Sequence, residues 1–95
     1  MLINVPYKVG DVISMKLASG EELVGRLEEE QGDDMIVTKP MMLVSAQDGI
    51  GLAPFMFSVS PDTKFKIKVP NVLCVTKTED SFSKQYLEQT SGIQL

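Results

Sequence analysis

A glycine stands in the middle of the second strand-like segment, and no other feature restricts the fold as much. Residues Val12 to Leu17 alternate, with Ile13, Met15 and Leu17 on one face and Val12, Ser14 and Lys16 on the other. Ser19-Gly20 supplies a turn. Leu23, Gly25 and Leu27 then share a face opposite Val24, Arg26 and Glu28. Glycine weakens a strand, and its usual reason there is a sharp bend or the close approach of another backbone. A bent second strand predicts a small barrel.

The alternation continues along the chain. Glu28-Glu29-Glu30 and Gly32-Asp33-Asp34 read as a solvated strand end and turn. Met35 to Thr38 and Met41 to Val44 read as a third strand interrupted at Pro40, which removes a ladder donor and favours an edge or a bulge. The stretch "QDGIGL" predicts a turn leading to a strand over Phe55 to Val59, with Phe55, Phe57 and Val59 on one face. Phe65, Ile67 and Val69 alternate with Lys64, Lys66 and Lys68, so the lysines form a comb on the polar face of a strand. Val69-Pro70-Asn71 predicts a tight connection to a strand over Val72 to Thr76, whose apolar run buries Cys74 as a small hydrophobe. From Thr78 the period changes to that of a helix. Asp80 caps it, Phe82, Tyr86 and Leu87 form its apolar stripe, and Gly92 ends it. That stripe should cover the barrel mouth or a neighbouring subunit. The expectation is one all-β domain over residues 1–95, with a five-stranded barrel over about 8–77 and a C-terminal helix over about 80–91.

Ninety-five residues make one domain that buries only about two-thirds of its unfolded surface, so a monomer is marginal. A composition that is 43% hydrophobic and 23% charged marks a globular chain. The absence of a leader or a bilayer-length apolar run leads to the expectation of a soluble, cytoplasmic protein with no membrane partner. The net charge of −4 works against indiscriminate nucleic-acid binding. The charge is uneven, however. Residues 1–48 carry four basic and nine acidic side chains, whereas residues 49–95 carry five basic and four acidic. Any anion-binding surface is therefore local, and the lysine comb is its candidate.

The chemistry of catalysis is missing. With no histidine there is no histidine-based triad and no histidine metal ligand, and one cysteine makes neither a disulfide within the chain nor a thiolate metal site. The carboxylates cluster only in turns and strand ends, and neither "GDD" nor "DGIG" has the strand, glycine and helix context of a phosphate loop. The reading is of a protein that is not an enzyme and uses no cofactor or metal.

Two spacings resemble the Sm-like proteins, which include Lsm and Hfq proteins. Leu17, Gly20, "EELV", Gly25, Arg26 and Leu27 resemble the first Sm motif, and Ile67-Lys68-Val69-Pro70-Asn71-Val72-Leu73-Cys74-Val75 the second. The likeness runs from Asp11 to Thr76 with an enlarged middle at residues 46–62, and the layout looks most like small Sm-like proteins encoded by phages. The family implies a strongly bent five-stranded, SH3-like barrel whose edge strands pair between copies into a homo-oligomeric ring of roughly five to seven subunits. The family's usual helix before the first strand has no counterpart here, and the helix comes last.

The resemblance also implies single-stranded RNA as a partner. Carried over by position, the family aspartate falls near Asp33, its asparagine position holds Met35 or Ile36, and its arginine is Lys68. The candidate RNA-binding residues are thus Lys68, Asn71, Asp33, Asp34 and Met35. Lys68 keeps a charge but lacks the planar fork of arginine. Two other readings stand beside it. One is an assembly module that keeps the ring and engages a protein through Phe55 to Phe57 or the terminal helix, with Met41, Met42 and Met56 as adaptable surface. The other is a monomeric SH3-like barrel.

Overall fold

Period-two alternation yields six strands rather than five. The computed structural model describes residues 7–60 and 62–90. The elements are β1 (Val12–Leu17), β2 (Glu22–Gln31), β3 (Asp34–Ala46), β4 (Gly49–Pro54), β5 (Lys64–Lys68), a 3-10 turn (Val69–Asn71), β6 (Val72–Lys77) and α1 (Asp80–Thr90). The sheet is antiparallel throughout, in the order β4-β3-β2-β1-β6, with β5 also paired to β3.

Gly25 is where β2 bends. A Cβ there would lie 2.5 Å from Val37 Cγ1 and 3.4 Å from Pro40 Cα, so the close approach expected of this glycine is present. Register shifts between Val24 and Arg26 and between Leu27 and Glu29 add bulges to the same strand. The two ends of β2 consequently reach one place. Ala18, in the turn before β2, donates its N–H to Asn71 O at 2.8 Å, and Val69 N–H donates to Asp33 O, in the turn after β2, also at 2.8 Å. A straight ten-residue strand would hold its ends about 30 Å apart. The sheet is strongly curled but not closed, because no ladder joins β5 to β6 among the described residues and only the 3-10 turn links them.

The expected interruption at Pro40 is a change of neighbour inside one continuous strand. Residues Asp34 to Thr38 pair with β5 and Met41 to Ala46 pair with β4. Between them Lys39 has φ +49°, a left-handed conformation that costs a non-glycine residue about 1–2 kcal/mol. The expected turn at "QDGIGL" is also displaced. The reversal is at Gln47-Asp48, and Gly49 to Pro54 form β4. Phe55 to Val59 are not a strand. Phe55 leaves the sheet with its N–H bonded to Pro40 O (3.1 Å), and its ring meets Phe65 edge-to-face at 6.4 Å.

Two apolar cores result. The inner one contains Ile13, Met15, Leu17, Leu23, Leu27 and Ile67, as the alternation predicts, together with Met35 and Val37. The second lies on the outer face, where Tyr86 buries Val12 and Val24 with Met41, Leu43, Leu52 and Phe82 around them. Val12 and Val24 share the face of Ser14, Lys16, Arg26 and Glu28, opposite the inner core. They are buried because α1 covers that face rather than the barrel mouth. The α1 start is capped by Glu79 and not by Asp80. The Glu79 carboxylate accepts the Ser81 hydroxyl (2.7 Å) and the Phe82 N–H (3.2 Å), which in that order hold its pKa below the usual range. Leu87, expected in the stripe, is 39% exposed, and the expected stop at Gly92 lies outside the described residues.

Candidate nucleic-acid interface

The curl that brings both ends of β2 to the 3-10 turn also assembles most of the candidate residues. Asp34 opens β3 directly opposite Lys68, the last residue of β5. The Lys68 ammonium lies 2.9 Å from Asp34 Oδ1. That oxygen is shut off from solvent and meets the lysine as an ion pair without hydrogen-bond geometry, whereas the Lys68 side chain is 59% exposed. Asp33 sits in the adjacent turn with its backbone carbonyl taken by Val69, and its side chain is exposed. Asn71 is exposed, and its carbonyl anchors the turn before β2.

Met35 differs from the other four. It is 3% exposed and packs in the inner core, so its side chain is turned away from the surface that the others share. Sequence position alone misplaces it, because the residue after two exposed turn aspartates is also the first inward residue of β3.

The comb has the geometry its spacing predicts. Lys64, Lys66 and Lys68 are exposed along β5 while Phe65 and Ile67 turn inward. Successive ammonium groups leave the strand about 6.6 Å apart, two residues at the strand rise. Among the described residues Lys64 and Lys66 have no ion-pair partner, and Asp34 engages Lys68. The comb therefore offers two free cations and one partly compensated by Asp34. On the inner core's margin, burial first and the Glu30 carboxylate second push the Tyr7 hydroxyl pKa up.

A second surface escaped the sequence reading as a unit. A groove of about 890 Å³ runs between the Lys39-Pro40 bend, Pro54, the Phe57 loop, Phe65 and the end of α1 at Thr90. Phe57 is 81% exposed beside it. Its walls come from three separated stretches of the chain, so no local motif announces it. It does join the two segments that the assembly reading singled out, Phe55 to Phe57 and the terminal helix. Cys74, expected to be buried, is exposed, because it lies opposite Lys16 on the outward face of the β1–β6 pair.

Among the described residues no group of three or more histidine, cysteine, aspartate or glutamate side chains is placed to hold a metal ion, and no helix is long and apolar enough to cross a membrane. Compared with known families and curated proteins, the chain matches no family model and no curated sequence.

Proposed function

We propose that this chain is a non-enzymatic, Sm-like, ring-forming module that binds single-stranded RNA through its phosphates, with weak base preference. The observation that carries the reading is the exposed Lys64, Lys66 and Lys68 comb on β5, with two of its three cations free of ion pairs. Regularly spaced cations on a rigid strand suit a repeating anionic backbone, and lysine supplies charge without the planar fork that reads bases. Asn71 and Asp33 flank the end of the comb and offer polar contacts to a sugar or base. Asp34 works against binding by compensating Lys68.

The test is fluorescence anisotropy of labelled uridine-rich and adenine-rich RNA across a salt series. Affinity should fall with salt, and Lys66→Ala should flatten the log–log slope by about 0.7, one single-strand phosphate contact. Asp34→Asn, which frees Lys68, should tighten binding. Binding that ignores salt, or a slope unchanged by Lys66→Ala, contradicts the reading.

The groove favours a second reading, a protein-assembly module, because its aromatic and methionine walls suit an apolar partner segment. Absence of RNA binding at low salt, with a protein partner co-purifying in fixed ratio and lost on Phe57→Ser, would place this reading first.

A further inference from the structure

Among the described residues the sheet has three free strand edges, and they are not alike. The edge at β5 carries three lysines and the edge at β6 ends in Lys77, so each would repel a second copy of itself and pair only with an unlike edge. The edge at β4 has none until Pro54. From Pro40 to Ser60 the sole charged residue is Asp48, in the turn, on a chain that is 23% charged. Ile50 on this edge is 56% exposed.

The backbone groups of β4 can be assigned to its two sides. The bond from Phe55 N–H to Pro40 O makes residues 40 and 55 a hydrogen-bonded pair, and the register from Met41↔Pro54 to Ala46↔Gly49 is unbroken. Alternation along an antiparallel ladder then turns the N–H and C=O of Gly49, Gly51 and Ala53 toward β3, and those of Ile50 and Leu52 outward. The missing N–H of Pro54 falls on the outer side, where it costs no ladder bond.

Gly51 has no reason within its own chain. Its φ is not left-handed, and a Cβ would make ordinary contacts of 3.7 Å to Ala46 Cβ and 3.8 Å to Val44 Cγ2. Gly25, by contrast, is required by its own chain. Gly51 therefore has room for a Cβ, so a cysteine placed there can report on what lies alongside this edge.

We propose that β4 is a self-association edge, at which two copies of this chain pair β4 to β4, antiparallel, about a two-fold axis through Gly51. Ile50 of each copy then exchanges both hydrogen bonds with Leu52 of the other, and the two side chains meet on one face. The two Gly51 residues face each other as a non-bonded pair, the closest approach in an antiparallel ladder, with Cα atoms about 4.5 Å apart. Charge selects this arrangement for a chain of net −4. Antiparallel pairing holds the two Asp48 carboxylates about 20 Å apart, whereas parallel pairing would set them side by side. The contact is isologous and closes on itself. It therefore adds a factor of two to whatever ring the β5 and β6 edges form.

Native mass measurement of Ile50→Pro tests it, since this substitution removes an outward N–H and the exposed Ile50 side chain and no hydrogen bond to β3. The particle mass should halve relative to the unsubstituted chain while circular dichroism stays native; an unchanged mass overturns the proposal. Halving down to 10.5 kDa monomers would keep this contact and reject the ring. Should the proline variant fail to fold, Gly51→Cys in a Cys74→Ser background decides. Mild oxidation should link it into dimers, and Ala53→Cys in the same background should stay unlinked. Equal linking at both positions, or linking at neither, overturns the two-fold register.

Discussion

Gly25 and Tyr86 hold the curvature of the sheet from opposite faces. The Val37 side chain that a Cβ at Gly25 would strike is fully buried and has little room to yield. Overpacking costs about 1–3 kcal/mol, and the reduced freedom of the unfolded chain returns about 0.4–1 kcal/mol. Gly25→Ala should therefore destabilise the fold by about 1–2 kcal/mol in urea unfolding, and an unchanged midpoint would mean that the bend does not depend on this contact. The Tyr86 hydroxyl is 2.8 Å from Lys39 O and 3.1 Å from Thr38 O, and it donates to this pair of carbonyls at the left-handed bend. Burial pushes its pKa from the ordinary phenol value up to about 12. The folded state thus favours the protonated phenol. This contribution is complete below about pH 10 and is lost as the pH rises through about 12, on the order of 2–3 kcal/mol in all. Melting temperature should fall more steeply above pH 10 for the unsubstituted chain than for Tyr86→Phe, and equal slopes would contradict this. The role of Gly25 was readable because a strand glycine needs a cause. The exposure of Cys74 is not legible, because a continuous apolar run does not show which of its residues shares a face with Lys16.

At the scale of elements, β3 carries the architecture by serving three partners. One long flank pairs with β2, and the other is divided between β5 and β4 at Lys39-Pro40. The sequence shows a proline there but not the change of neighbour, because nothing local reveals which strand comes alongside. The strand β4 was hidden for a related reason. Its two glycines read as turn chemistry, and only pairing with Val44 and Ala46 makes them a strand. The lysine comb and the 3-10 turn were readable, since alternation fixes the first and Pro70 the second. The helix was also readable, but its docking face was not. Two valines on the nominally polar face of β1 and β2 were the available signal. Ending the chain after Thr78 should uncover Val12, Val24, Leu43 and Leu52. The truncated protein should bind a hydrophobic dye and melt at a lower temperature. A truncated chain that melts unchanged would show that α1 is not part of the fold's stability.

For the whole molecule, the curl leaves β5 and β6 as two different edges joined by a three-residue turn. A single chain of this size has a thin margin of stability. Pairing β5 of one copy with β6 of the next would satisfy both edges, and a heterologous contact of this kind generates a ring when its rotation closes. The comb would stay available in such a ring, because strand side chains stand perpendicular to the edge that pairs. The candidate site was readable from the sequence only where one strand holds it. Lys68 could be named in advance, whereas Lys64 and Lys66 read as ordinary strand surface, and the partial compensation of Lys68 by Asp34 and the burial of Met35 depend on β3 lying opposite β5. Native mass spectrometry of the unsubstituted protein tests the assembly most directly. The account predicts a closed particle of one subunit number, roughly five to seven chains or twice that, at all concentrations above micromolar. A 10.5 kDa monomer over the same range would contradict it.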